Sequence, residues 1–382
     1  MKFRKFGSLD WEASTLGFGA MRLPIIGNDA SMIDEKLAIE MIRYAIDHGV
    51  NYLDTAYVYH RGMSEVTVGK ALEGGYREKI RIATKMPVRM VEKQENLDEF
   101  FNTHLERLQT DYIDFYLLHG LRESRWKQVK EFDMLSWAEE KLEEGKIKYL
   151  GFSFHDKIQL FKEIINAHDW TFCQIQLNYM DTESSNRGPG VEGLKYAAEK
   201  GLAVVVMEPI KGGKLAITPP KEVLEIWDRA EIKRTPAEWA LQWVWNLPEV
   251  SLALSGMSEM RHVKENLAYA NMSGPDSLTD DEVALFEEVK SAYNRLGFVG
   301  CTACQYCMPC QEGVDIPTIL GYYNEYYLSG RNESVKTKYW ENVNPENQAS
   351  NCIACGECEE KCPQQLPIRN FMNEITRRFS RS

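Results

Sequence analysis

The chain has 382 residues, 44% hydrophobic and 27% charged, a balance that fits a soluble globular enzyme and a length far beyond a lone ferredoxin. A net charge of −12 argues against a nucleic-acid backbone as a general partner. No apolar stretch is long enough for a bilayer, and Met1–Ser14 lacks an apolar core followed by a small-residue cleavage site. No membrane association is expected, and a cytoplasmic location is.

Residues 1–13 read as a short hairpin with its turn at Gly7-Ser8. Short apolar strands then alternate with longer amphipathic stretches. The predicted strands are 15–19, 51–55, 80–85, 113–118, 149–154, 172–178, 203–207 and 250–255. Helical segments lie between them, among them 35–48, 96–108, 134–144, 157–167, 190–200, 236–246 and 259–270. Strand–helix units in this number predict an α/β closed parallel barrel with helices outside. The alternative, an open doubly wound sheet, would carry GxGxxG after its first strand. The first strand here runs into Gly17-Phe18-Gly19-Ala20-Met21-Arg22, without the third glycine. A further helix is expected over 279–295, where Thr279 and Glu282 form a capping-box pattern. The segment 316–343 is tyrosine-rich and helical in pattern. The expected organisation is a barrel over 1–275, a helical connector over 276–296 and a small, mainly helical domain over 297–382.

In a parallel barrel, chemistry gathers at the C-terminal ends of the strands. Asp54 ends the second predicted strand, Lys85 the third and His119 the fourth, with Tyr59 in the loop after Asp54. Each residue alone has an ordinary structural reading as a cap, a solvated cation or a packed ring. Together on one rim they make a chemical set. A phenol with its pKa near 10 is a poor acid at neutral pH, and a neighbouring ammonium lowers that value. A carboxylate fixes the ammonium, and an imidazole shares the hydrogen bond to a substrate oxygen. Such a site protonates a carbonyl oxygen while hydride arrives at carbon. His60, Trp126 and Arg187 are candidate pocket residues, with rim packing the favoured reading of each.

Eight of the nine cysteines lie in two runs, Cys301-x2-Cys304-x2-Cys307-x2-Cys310 and Cys352-x2-Cys355-x2-Cys358-x3-Cys362-Pro363. Closely spaced thiolates on one loop, with a fourth from a distance, suit a cubane iron–sulfur cluster. Structural zinc would want CxxC pairs and would leave half of these cysteines idle. Disulfides would need an oxidising compartment. Cys173 stands alone in an apolar run and reads as a core residue.

Leu53-Asp54-Thr55-Ala56-Tyr57-Val58-Tyr59, Ser64-Glu65, Gly69-Lys70-Ala71-Leu72, Ala83-Thr84-Lys85, Asp111-Tyr112-Ile113-Asp114, Leu117-Leu118-His119 and Gly151-Phe152-Ser153 resemble the aldo-keto reductases. The resemblance covers roughly residues 1–275 and implies a TIM (β/α)8 barrel with NADP or NAD over the strand ends. It makes Tyr59 the general acid/base, Lys85 its tuner, Asp54 the partner of Lys85 and His119 the group that orients the carbonyl. It places Ser153 and Gln174 on the nicotinamide carboxamide, with Phe154 where the family usually has asparagine. Met207 stands for the usual stacking tyrosine, followed by Pro209, Gly212 and Gly213 in the next loop. Ser255, Gly256, Met257 and Asn266 resemble the adenosine end. Gly256 and His262 occupy positions where members selecting a 2′-phosphate carry cations, so weak discrimination between NADH and NADPH is expected.

The second cysteine run is similar to the bacterial ferredoxin pattern, and the whole chain resembles aldo-keto reductases fused to a ferredoxin-type domain. That resemblance implies two 4Fe-4S clusters with crossed ligation. Cys301, Cys304 and Cys307 would take Cys362, while Cys352, Cys355 and Cys358 would take Cys310. The first run is one residue short before Cys310. Three functions follow. The first is a carbonyl–alcohol oxidoreductase whose clusters transfer electrons, with a small-molecule substrate and a one-electron redox partner protein. The second is the same enzyme with clusters that only hold the tail folded. The third is an electron-transfer protein whose barrel is a scaffold.

Overall fold

The structure is a computed structural model and describes residues 1–27, 29–297 and 299–380; positions 298, 381 and 382 of the expected tail domain lie outside this range. Strands β1 (Phe3–Lys5) and β2 (Glu12–Ser14) form the expected antiparallel hairpin. The parallel strands follow as β3 (Leu16–Gly19), β4 (Tyr52–Asp54), β5 (Arg81–Met86), β6 (Ile113–Leu121), β7 (Ile147–Phe154), β8 (Phe172–Gln176), β9 (Ala203–Met207) and β10 (Leu252–Gly256). They close into one barrel in the order β10-β3-β4-β5-β6-β7-β8-β9, with β9 paired back onto β10. Both faces of each strand are covered, which is why Ala203–Val206 and Phe115–Leu118 run as unbroken apolar stretches that are fully buried.

The hairpin stops one mouth of the barrel. Phe6, fully buried, packs its ring against Tyr52, Phe115 and Phe172 with centroids 6.0, 4.8 and 5.8 Å away. Those residues lie at or near the N-terminal ends of their strands. Gly7 has φ +57, and a Cβ there would lie 2.5 Å from Ala203 N and 2.7 Å from Gly201 O. No larger residue fits so close an approach. The opposite, C-terminal mouth carries the polar strand ends.

One irregularity shapes that mouth. The pairing of β6 with β7 slips between Leu118 and Leu121, and Gly120 takes φ +62. The extra residue is a bulge of the kind that re-aims a side chain, and His119 lies within it.

The chain divides into two compact units. The first holds Met1–Pro209 and Leu241–Ser277, the barrel with most of its helices. The second joins Ile210–Ala240 to the chain from Leu278 onward. Within the second unit, Trp227 and Trp239 stack at 4.5 Å and Phe286 meets both edge-on. The expected capping box starts helix Asp280–Arg295. Glu282 N donates to Thr279 Oγ1 at 3.2 Å, and Thr279 N donates to Glu282 Oε2 at 3.0 Å. Helices Ile316–Leu328, Ser334–Asn342 and Ile368–Arg378 enclose an apolar core of Ile319, Leu320, Tyr339, Met372, Ile375 and Phe379, against which Cys301, Cys307, Cys310, Cys352 and Cys358 pack. Among the described residues no helix is long and apolar enough to cross a membrane.

Candidate active site and cysteine loops

Lys85 is fully buried at the end of β5. Its ammonium donates to Asp54 Oδ1, Asp54 Oδ2 and Thr55 O, each at 2.7 Å. Burial pulls the Lys85 amine down and the Asp54 carboxyl up, and their mutual attraction opposes both shifts. Thr55 is held in turn. Its hydroxyl bonds Ser64 Oγ at 2.8 Å, and Ser64 Oγ donates to Ala20 O at 2.8 Å. Behind Lys85 the buried Glu65 accepts from Thr84 Oγ1 and His104 Nδ1 at 2.6 Å and from Arg107 Nη1 at 3.2 Å. The Glu65 carboxyl stays below its usual range, because these donors outweigh the burial that pushes it up. The sequence motif around Ser64-Glu65 is thus a fully bonded platform under the strand-end lysine.

Tyr59 sits in the turn after β4, with 7% of its surface exposed. Lys85 Nζ lies 4.9 Å from its ring centroid. His119 faces it edge-on, with ring centroids 6.1 Å apart at 83°. The His119 imidazole is held well below its usual pKa, first by burial, then by the charges of Lys85, Arg125, His155 and Arg89. It is therefore neutral at physiological pH and can share a hydrogen bond with a carbonyl oxygen. His60 anchors the turn that carries Tyr59. Its Nε2 accepts from Leu23 N at 3.1 Å, and its Nδ1 donates to Ala30 O at 2.6 Å. Trp126 donates to Glu163 Oε1 at 2.8 Å and is packed on a helix, and Arg187 pairs with Asp181 at 3.6 Å.

The neighbouring strand ends carry the expected coenzyme residues. Ser153 and Gln174 are register partners on β7 and β8. Ser153 Oγ accepts from Gly120 N at 2.7 Å, so it also fastens the bulge that bears His119. Gln174 Nε2 reaches Met207 Sδ at 3.8 Å, while its Oε1 is buried without a protein donor. A buried acceptor left open is costly, and a carboxamide N–H is the kind of group that satisfies it. Asn266 Nδ2 donates to Ser255 Oγ at 2.9 Å at the end of β10, next to Gly256 and the buried Met257. Arg22 lies over Gly256, within 3.1 Å of where a Cβ would be, and pairs with Glu208 at 3.8 Å. Sequence reading missed this cation, because its position comes from β10 pairing with β3. Pro209 follows β9 in the first unit. Gly212 belongs to the second unit, where a Cβ would lie 2.7 Å from Thr302 Cα, and Gly213 stands in open space beside it.

The cysteines line two cavities. One is bordered by Cys301, Cys304, Cys307 and Cys362, the other by Cys307, Cys310, Cys352, Cys355 and Cys358. Burial pushes the Cys307 thiol up, and Cys304, Cys301 and Cys362 push it the same way; Cys358 is pushed up to about 11, with Cys352 and Cys355 among the causes. Thiols gathered like this repel one another once ionised, and a cationic metal core removes that cost. Ala303, Gln305 and Ala354 take left-handed φ of 50, 63 and 57 between the cysteines. Such turns aim successive backbone N–H groups inward, as cluster-binding loops do. Among the described residues no three His, Cys, Asp or Glu side chains are close enough to share one ion. Eight thiols lining two cavities are a donor set that fits iron–sulfur clusters.

An eight-stranded parallel barrel whose strand ends bring a buried lysine–aspartate pair, a tyrosine and a neutral histidine together defines an aldo-keto reductase architecture. The chain belongs to the aldo/keto reductase family, whose profile matches residues 15–291, and a 4Fe-4S dicluster domain profile matches 300–366. It is similar to the probable aldo-keto reductase 1 of Glycine max, 29% identical over 297 residues covering 69% of this chain and 82% of that protein. It is 26% identical to the NADH-specific methylglyoxal reductase of Escherichia coli strain K12 over 345 residues, 77% of this chain and all of that one. The holo form of aldo-keto reductase AKR11C1 from Bacillus halodurans superposes with a TM-score of 0.61 at 29% identity, covering 76% of this chain and 96% of that one.

Proposed function

We propose that the barrel interconverts a carbonyl compound and an alcohol with a nicotinamide coenzyme, with Tyr59 as general acid/base. The observation that carries this reading is the Lys85 ammonium, held by Asp54 and Thr55 and lying 4.9 Å from the Tyr59 ring centroid. When bound, the dihydronicotinamide supplies hydride to the carbonyl carbon. Tyr59 gives its hydroxyl proton to the carbonyl oxygen, and the positive charge of Lys85 favours the phenolate left behind. His119, neutral and edge-on to Tyr59, orients that oxygen. In the reverse direction Tyr59 takes the alcohol proton. Ser153 and Gln174 would hold the carboxamide, the open Gln174 Oε1 supporting that role, and Met207 would lie against the ring. Ser255, Gly256, Met257 and Asn266 would hold the adenosine end, with Arg22 beside them. Pro209, Gly212 and Gly213 would shape the loop after Met207.

The tail in this reading carries two 4Fe-4S clusters. Cys301, Cys304, Cys307 and Cys362 would bind one, and Cys352, Cys355, Cys358 and Cys310 the other, as the two cavities support. Their use in electron transfer is favoured by exposure at the second site, where Cys355 is exposed and Ile353 is 62% exposed. A one-electron redox partner protein has access there. Anaerobically purified protein tested with NADH, NADPH, a carbonyl panel and a one-electron dye decides the matter. Carbonyl turnover that Tyr59→Phe abolishes supports the reading. Dye reduction without carbonyl turnover returns the barrel to the role of scaffold.

A further inference from the structure

Several cations act on His119, and Arg125 reaches the bulge that carries it. Arg89 is exposed in the turn Val88–Met90 after β5, and that turn packs against β6 and helix Glu123–Glu131. Gln128 Nε2 on the helix ties the two together through Val91 O at 3.5 Å. Arg125 reaches back from the same helix and donates to Gly120 O at 2.5 Å, in the bulge beside His119. The His155 ring also lies over Gly120, 3.9 Å from where a Cβ would be, and burial, then Arg125 and Arg122, disfavour its protonated form. Four of the neighbouring carboxylates have their own partners. Asp54 binds Lys85, Glu123 accepts from Lys127 at 2.9 Å, Asp181 pairs with Arg187, and Asp156 accepts from the backbone of Glu123 and Lys157 at 3.1 and 2.8 Å. In a chain of net charge −12, Lys85, Arg125 and Arg89 all act on the His119 imidazole, which faces Tyr59.

Guanidinium forks suit oxyanions, and a cationic cleft in an acidic protein focuses them toward it. We propose that the carbonyl substrate is itself anionic: an aldehyde or ketone whose carboxylate or phosphate is held by Arg125 and Arg89 while its carbonyl oxygen meets Tyr59 and His119. This rests on the carbonyl-oxidoreductase reading above. Arg125 and Arg89 act in binding, so they set KM more than kcat.

The test uses the full-length chain, purified anaerobically, with either coenzyme. Succinic semialdehyde is compared with butanal, and glyceraldehyde phosphate with glyceraldehyde. In at least one pair the charged member should have a kcat/KM about tenfold higher, equivalent to ~1.4 kcal/mol, carried by KM. The pair that shows it tells carboxylate from phosphate. Arg89→Gln and Arg125→Gln should each lower that ratio, whereas Lys148→Gln, which removes a charge near the N-terminal end of β7, should not. Equal efficiency within both pairs overturns the proposal, as does a preference that survives both arginine variants. If no carbonyl compound turns over, the reductase reading fails by itself. Succinate and inorganic phosphate binding to the coenzyme-loaded chain then decides. Saturable binding weakened by Arg89→Gln and Arg125→Gln supports the anion site, and no saturable binding up to millimolar anion overturns it.

Discussion

The rings of Tyr59 and His119 meet edge to face, 6.1 Å between centroids, although one stands in a turn after β4 and the other in a bulge of β6. Their meeting depends on two local departures from regular geometry. His60 and Arg61 take left-handed φ of 50 and 54 directly after Tyr59, and Gly120 takes φ +62 directly after His119. Both departures are anchored, the first by the His60 ring and the second by Ser153 Oγ.

Tyr59→Phe keeps the ring and removes only the hydroxyl. Carbonyl reduction should fall about 10²–10⁴-fold, the usual worth of a positioned acid. Coenzyme affinity should stay level, because the proposed coenzyme contacts lie on β7, β8, β9 and β10. Near-full turnover of a confirmed substrate would remove Tyr59 from the mechanism.

Lys85 and Asp54 form a buried pair with side-chain exposures of 1% and 4%. Removing either partner strands the other, at a cost of about 3–5 kcal/mol in stability. Lys85→Met and Asp54→Asn should each lower the urea midpoint, and the double variant should recover part of the loss while remaining inactive. Additive losses in this cycle would mean that the two groups are not coupled.

His155 is held down to about 3, first by burial and then by Arg125 and Arg122. The unfolded imidazole titrates near 6.5, so between those values the unfolded chain binds more protons and stability rises with pH. Acidifying from pH 7 to pH 5 should remove up to about 2 kcal/mol through this group, with His119 adding in the same direction. Urea unfolding across that range should show a flatter dependence in His155→Gln. An unchanged slope would assign the acid sensitivity to other groups.

Anaerobic protein should contain about eight iron and eight sulfide per chain. Cys362→Ser and Cys310→Ser should each perturb one cluster and spare the other, giving distinct changes in the electron paramagnetic resonance of the reduced protein. Both substitutions acting on the same signal would refute crossed ligation. Stoichiometric zinc without sulfide would remove the clusters altogether.

Arg22 over Gly256 places positive charge near the expected adenosine end, and Arg261 nearby shares its charge with Glu259 and Glu265 at 3.8 and 3.5 Å. Arg22→Gln should weaken NADPH more than NADH, by about 1.5–3 kcal/mol if it meets the 2′-phosphate. Equal weakening of both coenzymes, measured by fluorescence titration, would place it on the shared pyrophosphate instead.

The barrel was legible because its strands are apolar on both faces and its helices amphipathic, and polar residues such as Asp54 and Lys85 stand out at the ends of such strands. The positions of Arg22 and Arg125 were not legible. One depends on β10 closing against β3, the other on a helix folding back onto a bulge. The pairing of Ile210–Ala240 with the chain after Leu278 was equally silent, since Trp227, Trp239 and Phe286 look like ordinary core residues until they stack together. Local pattern reports which residues are buried or polar, and says little about which distant neighbours they meet.

The hairpin that stops the barrel sets an order on synthesis. Phe6 and Gly7 emerge from the ribosome long before part of their seat, which includes Phe172, Gly201 and Ala203. Until those residues follow, the hairpin finds only part of its seat, and the half-built barrel exposes Tyr52 and Phe115 to solvent or to chaperones. Such long-range closure makes folding slow and nascent chains prone to association. The same two residues give a way to watch the event, because a fluorophore placed beside Phe6 would report the moment the last strands arrive.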